Sequence, residues 1–319
     1  MTSTYLTEKL VIEPRYFILP QRRRGHRELC VLSVSVVICY LIPDNWEVEV
    51  EAERTPSQRW ALILGASSGF GAAAGLALAR NGFNIVGVHL DRRATLPNAE
   101  KVASDIRGMG RKALFFNANA ADPEKRTEII QACQTAMSEA PGSTGVNTLL
   151  HSLAFGTLKL YVASDLNTAI KPADMNMTLD VMAHSLVYWV QDLFAAGLLQ
   201  KGAKIFAMTS AGGHRVWPSY GAVSAAKASL ESHIRQLAVE MAQFGISANA
   251  LRAGVTDTPA ARKIPGSNQM FEWALKSNPG KRLTTPEDVA EVLVWLSLCN
   301  STWITGNVIG VDGGEDLTG

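Results

Sequence analysis

The chain has 319 residues, of which 47% are hydrophobic and 18% charged, with a formal net charge of +1. That length and apolar content can bury a sizeable core, and the near-neutral balance carries none of the clustered basic excess of a nucleic-acid binder, so no nucleic acid is expected as a partner. The four cysteines, Cys30, Cys39, Cys133 and Cys299, form no C-x2-C pair and are too sparse for a disulfide-stapled secreted domain, which fits a reducing, cytoplasmic setting.

Residues 1–58 differ in character from the rest. A basic run, Arg22 to Arg24, precedes an apolar stretch from Leu29 to Ile42 that Pro43 ends. Such a stretch is shorter than the ~20 residues a spanning helix needs and close to the ~7–15 of a signal-peptide core, yet no small-residue cleavage site follows it. The expectation is an N-terminal extension, either poorly ordered or an apolar targeting or surface segment. The stretch "WEVEVEAERTPSQR" (46–59) then reads as a charged lead-in to the first core strand.

From Trp60 onward, short apolar runs alternate with longer amphipathic ones, the pattern of a parallel sheet with helices on both faces. Strands are predicted at 61–64, 84–90, 112–117, 147–151, 203–209, 246–251 and 307–311, and helices near 70–81, 98–108, 123–139, 175–199, 220–243 and 286–298. The last helix opens "TPEDVAE", with Thr285 as N-cap and Pro286 at the first helical position. Residues 59–319 therefore read as one α/β domain, a Rossmann-type doubly wound parallel sheet of about seven strands.

"LGASSGFGAAAG" sits between the first of these strands and the first helix, with Gly65, Gly69 and Gly71 in a G-x3-G-x-G pattern. Glycines there permit a tight turn and close approach of a pyrophosphate, and the helix start offers unpaired N–H groups to its charge. A turn that simply needs positive φ would also select glycine. The next strand ends "VHLDRR". A carboxylate at Asp91 suits the 2′-hydroxyl of NAD, whereas Arg92 or Arg93 suits the 2′-phosphate of NADP. Asn119, past the third strand, is a candidate adenine contact.

Tyr220 and Lys227 are seven residues apart in "SYGAVSAAKASLE", close to two helical turns, which places them on nearly one face about 10 Å apart along the axis. A lysine ammonium there lowers the cost of negative charge on a phenol whose ordinary pKa is ~10. His184 and His233 lie in helices without a partner at metal spacing, and no metal is expected.

From Leu64 to Gly314 the order of motifs resembles the short-chain dehydrogenase/reductase family: "GASSGFG", "HSLA" at a strand end, the tyrosine and lysine, "AGVTDT" and "VDGG". Common members carry Y-x3-K, which would place the tyrosine at Val223. Y-x6-K together with "HSLAFG" is similar to the enoyl-acyl carrier protein reductase branch, the FabI and FabL types. The resemblance implies catalytic roles for Tyr220, Lys227 and Ser210. It implies cofactor contacts at Gly65, Ser67, Ser68, Gly69, Phe70, Gly71, Asp91, Arg92, Asn119, Ser152, Leu153, Ala154, Lys227, Val255 and Thr258. The family's usual relay asparagine falls near Met182, so the polar relay of keto reduction is absent. Ser210 stands where the standard enoyl reductases keep a second tyrosine, and a serine there with G-x3-G-x-G is similar to the NADPH-using FabL subtype. His151 is expected to be structural.

The resemblance therefore implies NADPH- or NADH-dependent reduction of an enoyl thioester in fatty-acid biosynthesis, with a leaning to NADPH. The substrate would be carried on acyl carrier protein or CoA, the chain would be a homotetramer, and residues 259–280 would form a lid. The rival readings are a 3-oxoacyl or other carbonyl reductase, and a nucleotide-binding scaffold without turnover.

Overall fold

The computed structural model describes residues 17–23, 26–33, 36–42, 58–140 and 142–318. They fall in two compact units, one within residues 1–56 and one spanning 57–319. In the first, β1 (Phe17–Arg23), β2 (His26–Ser33) and β3 (Val36–Ile42) form an antiparallel sheet in the order β1-β2-β3. The apolar stretch read from the sequence thus contributes to two paired strands, with Cys30 opposite Cys39, and its Val and Ile content suits that conformation. The charged lead-in up to residue 57 lies outside the described residues.

The second unit alternates strand and helix: β4 (Gln58–Leu64), α1 (Gly69–Arg80), β5 (Asn84–His89), α2 (Leu96–Gly108), β6 (Ala113–Asn117), α3 (Pro123–Ser138) and β7 (Ser143–His151). It continues with α4 (Pro172–Leu179), α5 (Ser185–Ala195), β8 (Lys204–Ser210), α6 (Gly221–Ala242), β9 (Ser247–Ala253), α7 (Ser267–Ser277), α8 (Pro286–Leu298), β10 (Val308–Val311) and α9 (Glu315–Thr318). The seven strands form one sheet in the order β10-β9-β8-β7-β4-β5-β6, every pair parallel. This is the Rossmann-type α/β architecture expected from the sequence, and each expected strand is present.

Both faces of the sheet are covered, which is why its strands read as continuous apolar runs. Along β4 the side chains alternate between two cores. Trp60, Leu62 and Leu64 pack with Trp189 and Leu230 on one side, while Ala61 and Ile63 pack with Leu78, Ile106 and Leu293 on the other. The chain runs outward from β4 in opposite directions, so the sheet has its switch point between β4 and β7. Ligands of such sheets bind beyond the carboxyl ends of the strands at that point.

Two elements differ from the sequence reading. The helix expected over 175–199 is α4 and α5 joined by a π-helical turn, Asp180–His184, and within the expected lid at 259–280 lies α7, with an amphipathic helix where a loop was read. At α8 the sequence signal is realised: Thr285 Oγ1 accepts from the Asp288 N–H at 3.3 Å and the Asp288 carboxylate accepts from the Thr285 N–H at 2.8 Å. Thr285→Ala removes this cap and is expected to cost about 1 kcal/mol, read as a lower urea midpoint with an unchanged slope.

Candidate active site

The loop between β4 and α1 has no room for side chains at two positions. Gly65 has φ +93°, and a Cβ there would sit 2.2 Å from the Ser152 carbonyl oxygen; one on Gly71 would sit 2.0 Å from the Gly65 carbonyl oxygen. The turn is held to β5 by the Gly65 and Ala66 N–H groups, both donating to Val88 O, and the Ser152 N–H donates to Leu64 O. These contacts bring the ends of β4, β5 and β7 together under the start of α1. Ser68 is the N-cap of α1 but makes no side-chain cap bond, and no acidic residue occupies the first turn. The helix start therefore keeps N–H groups for an external anion. Phe70 packs on the core behind α1. An ideal Cβ on Gly69 would lie 3.6 Å from Thr258 Cγ2, which places the turn beside the loop that follows β9.

Asp91 lies past the end of β5 with its side chain only 9% exposed. Burial works to raise its carboxyl, but hydrogen bonds from Thr95, Ser67 and His89 outweigh this and hold it below the ordinary carboxylate value. The His89 contact is 2.9 Å, and Asn117 fixes the backbone of Asp91 through two bonds of 2.9 Å. The carboxylate is thereby tied to the glycine turn through Ser67. His89, Thr95 and Asn117 were missed by the sequence reading, because these partners meet only once β5, β6 and the turn are assembled. Asn119 is exposed and its Oδ1 accepts from the Ala121 N–H at 3.1 Å. Ala154 is exposed as well, whereas Ser152 and Leu153 are partly covered beneath Gly65.

Tyr220 is the N-cap of α6 and follows Ser219, whose φ of +62° is unusual for a residue other than glycine. Burial pushes the Tyr220 phenol above its ordinary value, partly offset by Ser210. The Ser210 Oγ is buried without a hydrogen bond of ordinary geometry, so it approaches the phenol without being spent on the protein. Lys227, 6% exposed, donates from Nζ to Met208 O at 2.7 Å. Burial brings its ammonium down to about 8, with Glu231 acting in the opposite direction. Glu231, another residue the sequence reading passed over, also accepts from Thr209 Oγ1 at 2.6 Å. Two of the ammonium's three donors remain for a ligand.

His151 is fully buried and takes no charge: burial first, then the neighbouring Lys227, pushes it down to about 3. Its Nε2 pairs at 2.9 Å with Ser185 Oγ, which donates to Val181 O within the π turn, while its Nδ1 is buried without a hydrogen-bond partner. Thr258 is buried and its Oγ1 accepts from the Ala261 N–H at 3.1 Å. The Val255 N–H is already occupied by Glu315, at 3.0 Å. His184 and His233 pair with each other at 3.0 Å; among the described residues no group of three or more metal-binding side chains forms.

A nicotinamide dinucleotide fits these residues. The cradle that a Cβ on Gly65 or Gly71 would fill, the uncapped start of α1, the carboxylate of Asp91 and the Lys227 ammonium, with two donors left, supply the groups that such a ligand needs. The family model described as "Enoyl-(Acyl carrier protein) reductase" matches residues 65–315. The chain is similar to the 1-cyclohexenylcarbonyl-CoA reductase of Streptomyces collinus, at 27% identity over 80% of this chain and 86% of that one. It is also similar to the enoyl-[acyl-carrier-protein] reductase [NADH] FabI of Aquifex aeolicus, at 29% identity over 81% of this chain and 92% of that one. Among solved structures, a 3-oxoacyl-[acyl-carrier protein] reductase from Brucella melitensis superposes with a TM-score of 0.67 at 23% identity, covering 82% of this chain and 98% of that one. At that identity the likeness is one of fold.

The buried ammonium gives the site a pH dependence. Lys227 is charged below about 8 and neutral above it, so affinity for a dinucleotide whose ribose it binds is expected to hold below that pH and weaken toward tenfold per unit above it. Lys227→Arg, which does not titrate in this range, should flatten that limb in a fluorescence titration.

Proposed function

The chain belongs to the short-chain dehydrogenase/reductase family, and we propose that it is a nicotinamide-dependent reductase of the 2,3 double bond of enoyl thioesters, carried on acyl carrier protein or CoA. The observation that carries this reading is the apolar setting of Met182, which faces Gly156 next to Val223 of α6, one turn beyond Tyr220. The phenol is kept protonated by burial, whereas Met182, on the π turn, is 2% exposed and packed in the apolar core. A protonated phenol is a hydrogen-bond donor to an oxygen that gains negative charge, which is what an enoyl thioester presents when its β-carbon is reduced. An apolar neighbour at Met182 offers no proton relay of the kind an alkoxide product requires.

Gly65, Gly69, Gly71 and the start of α1 would hold the pyrophosphate, Asp91 the adenosine ribose, Lys227 the nicotinamide ribose, and Thr258 the carboxamide end. Bound there, the reduced nicotinamide would supply a hydride to the substrate β-carbon, and the α-carbon of the resulting enolate would take its proton from water. Tyr220 donates to the thioester oxygen and limits the charge built up on it; Lys227 opposes loss of that polarisation through its own positive charge; Ser210 directs the phenol. The Asp91 carboxylate accepts from three protein donors and keeps acceptor capacity for a ribose hydroxyl, and its charge disfavours a 2′-phosphate. This supports NADH over the NADPH that the sequence suggested, with Arg92 exposed beside it. Asp91→Asn is expected to raise the NADPH-to-NADH ratio of kcat/KM at least tenfold.

A second reading, reduction of a 3-oxoacyl thioester, is favoured by the free Ser210 hydroxyl beside Tyr220, a pairing that would also serve a ketone oxygen. Crotonyl-CoA and acetoacetyl-CoA, each followed by loss of nicotinamide absorbance, separate the two. Oxidation with crotonyl-CoA that falls on the order of 10²-fold or more in Tyr220→Phe supports enoyl reduction. Oxidation with acetoacetyl-CoA alone replaces it with the keto reading, and cofactor binding with neither reaction replaces both with a reductase of another carbonyl substrate or a scaffold.

A further inference from the structure

Residues 152–171, between β7 and α4, contain neither helix nor strand, a length at which a connection in a compact domain usually has a task. The segment is nevertheless pinned. A Cβ on Gly156 would meet Val223 Cγ2 at 2.6 Å and Met182 Sδ at 2.9 Å. The Thr157 N–H donates to Thr178 Oγ1 at 3.0 Å, and the Lys159 ammonium donates to the Asp174 carboxylate at 3.0 Å. The Ile170 N–H closes the loop on Leu160 O at 2.9 Å.

The consequence of this pinning is the position of Tyr161. Its ring lies over Gly221, the first residue of α6 and the direct neighbour of Tyr220: an ideal Cβ on Gly221 would stand 2.5 Å from Tyr161 Cζ and 2.9 Å from its Oη. Gly221 is not among the positive-φ glycines, so the backbone conformation does not ask for glycine there. The approach of the ring does. Tyr161 is 53% exposed, and its neighbours Phe155, Leu160 and Val162 are 54%, 48% and 80% exposed. Apolar groups of this size left open beside a catalytic centre need an apolar occupant, and the segment runs continuously into the site at Ser152 and Gly156.

We propose that Tyr161 is a specificity-determining residue whose ring, held against Gly221, packs on the acyl chain of enoyl thioesters longer than crotonyl. The proposal rests on the enoyl-thioester reading and names the part of the substrate that reading leaves open. The contact is made by the ring face, and the hydroxyl is dispensable. Gly221 acts with Tyr161 as one unit, because a side chain at Gly221 must push the ring away.

The full chain, with NADH or NADPH in excess, is assayed with crotonyl-CoA and with trans-2-dodecenoyl-CoA. Tyr161→Ala is expected to raise KM for the dodecenoyl thioester at least tenfold while changing kcat/KM for crotonyl-CoA less than threefold, and Tyr161→Phe should stay within twofold of the parent on both. Gly221→Ala should reproduce the dodecenoyl defect, yet add less than twofold in a Tyr161→Ala background. Equal losses on both thioesters, additive effects of the two substitutions, or a Tyr161→Phe defect as large as that of Tyr161→Ala would each overturn the assignment. Circular dichroism and dinucleotide affinity check each variant, with Tyr161→Leu replacing an alanine variant that fails to fold. If the parent reduces neither thioester, the reading of the reaction has failed. Calorimetric binding of saturated dodecanoyl-CoA to the dinucleotide-loaded protein then decides the assignment: a tenfold weakening in Tyr161→Ala upholds it, and no binding by the parent overturns it.

Discussion

The site depends on a backbone contact that involves no side chain. Gly65 turns the chain away from β4 so close to the Ser152 carbonyl at the end of β7 that even a methyl group would occupy that oxygen's space. The parallel pairing of β4 with β7 sets this approach, and the approach in turn sets where α1 begins and where the segment after β7 departs. The cofactor cradle on one side and the segment that carries Tyr161 on the other therefore share one fixed point. A substitution there would disturb both, because the two strands cannot separate without breaking the Ser152 bond to Leu64.

Charge around this point is controlled by burial. Lys227 is kept in the interior by one backbone carbonyl and by Glu231 one turn along α6, which is less compensation than a buried ammonium usually has and explains its lowered affinity for protons. His151, next to it, remains neutral, so the lysine faces no competing cation. Tyr220 is pushed the other way and keeps its proton. A neutral donor beside a cation that is only moderately stable suits a ligand that brings hydroxyls and takes up negative charge at an oxygen.

Much of this was legible in the sequence where the signal is local. The seven strands of the large sheet stand out because burial on both faces leaves unbroken apolar runs such as "ALIL" and "KIFAM". Thr285, Pro286 and Asp288 write the start of α8 in three residues. Tyr220 and Lys227 stand out by their spacing along a helix of regular geometry, whereas the part given to Ser210 comes from the resemblance to the short-chain reductases. What spacing could not supply was contact between elements. The π turn at Asp180–His184 has no compositional mark, because it differs from an α-helix only in which carbonyl each N–H reaches. The partners of Asp91 lie in a strand, a turn and a helix cap, and Tyr161 reaches Gly221 across residues far apart in the chain. The amphipathic pattern of α7 was present in "SNQMFEWALKS" but was subsumed in a reading of the whole segment as a lid.

The C-terminal segment ties together loops on either side of Tyr220. Asp316 pairs with Arg215 at 2.9 Å and with His214 at 3.0 Å, holding the segment between β8 and α6, and with Arg252 of β9 at 3.0 Å. Glu315, raised above the ordinary carboxylate value first by burial, accepts the Val255 N–H that begins the loop after β9. Adjacent carboxylates thus anchor the loops that flank Tyr220 on either side. Beyond Thr258 the chain is tied at Asn278, whose side-chain amide donates to Asp312 O at 2.9 Å, at Ser277, whose carbonyl accepts from Thr318 Oγ1 at 2.9 Å, and at Trp273, whose ring lies under Arg215. Between those points the ion pair of Arg262 with Asp257 is exposed and adds little to stability. The Trp217 Nε1–H, donating to Pro265 O at 2.9 Å, is one cross-contact to the segment before α6. Residues 259–277 thus have few polar ties to the rest of the domain, whereas the segment that carries Tyr161 is held at Thr157 and Lys159.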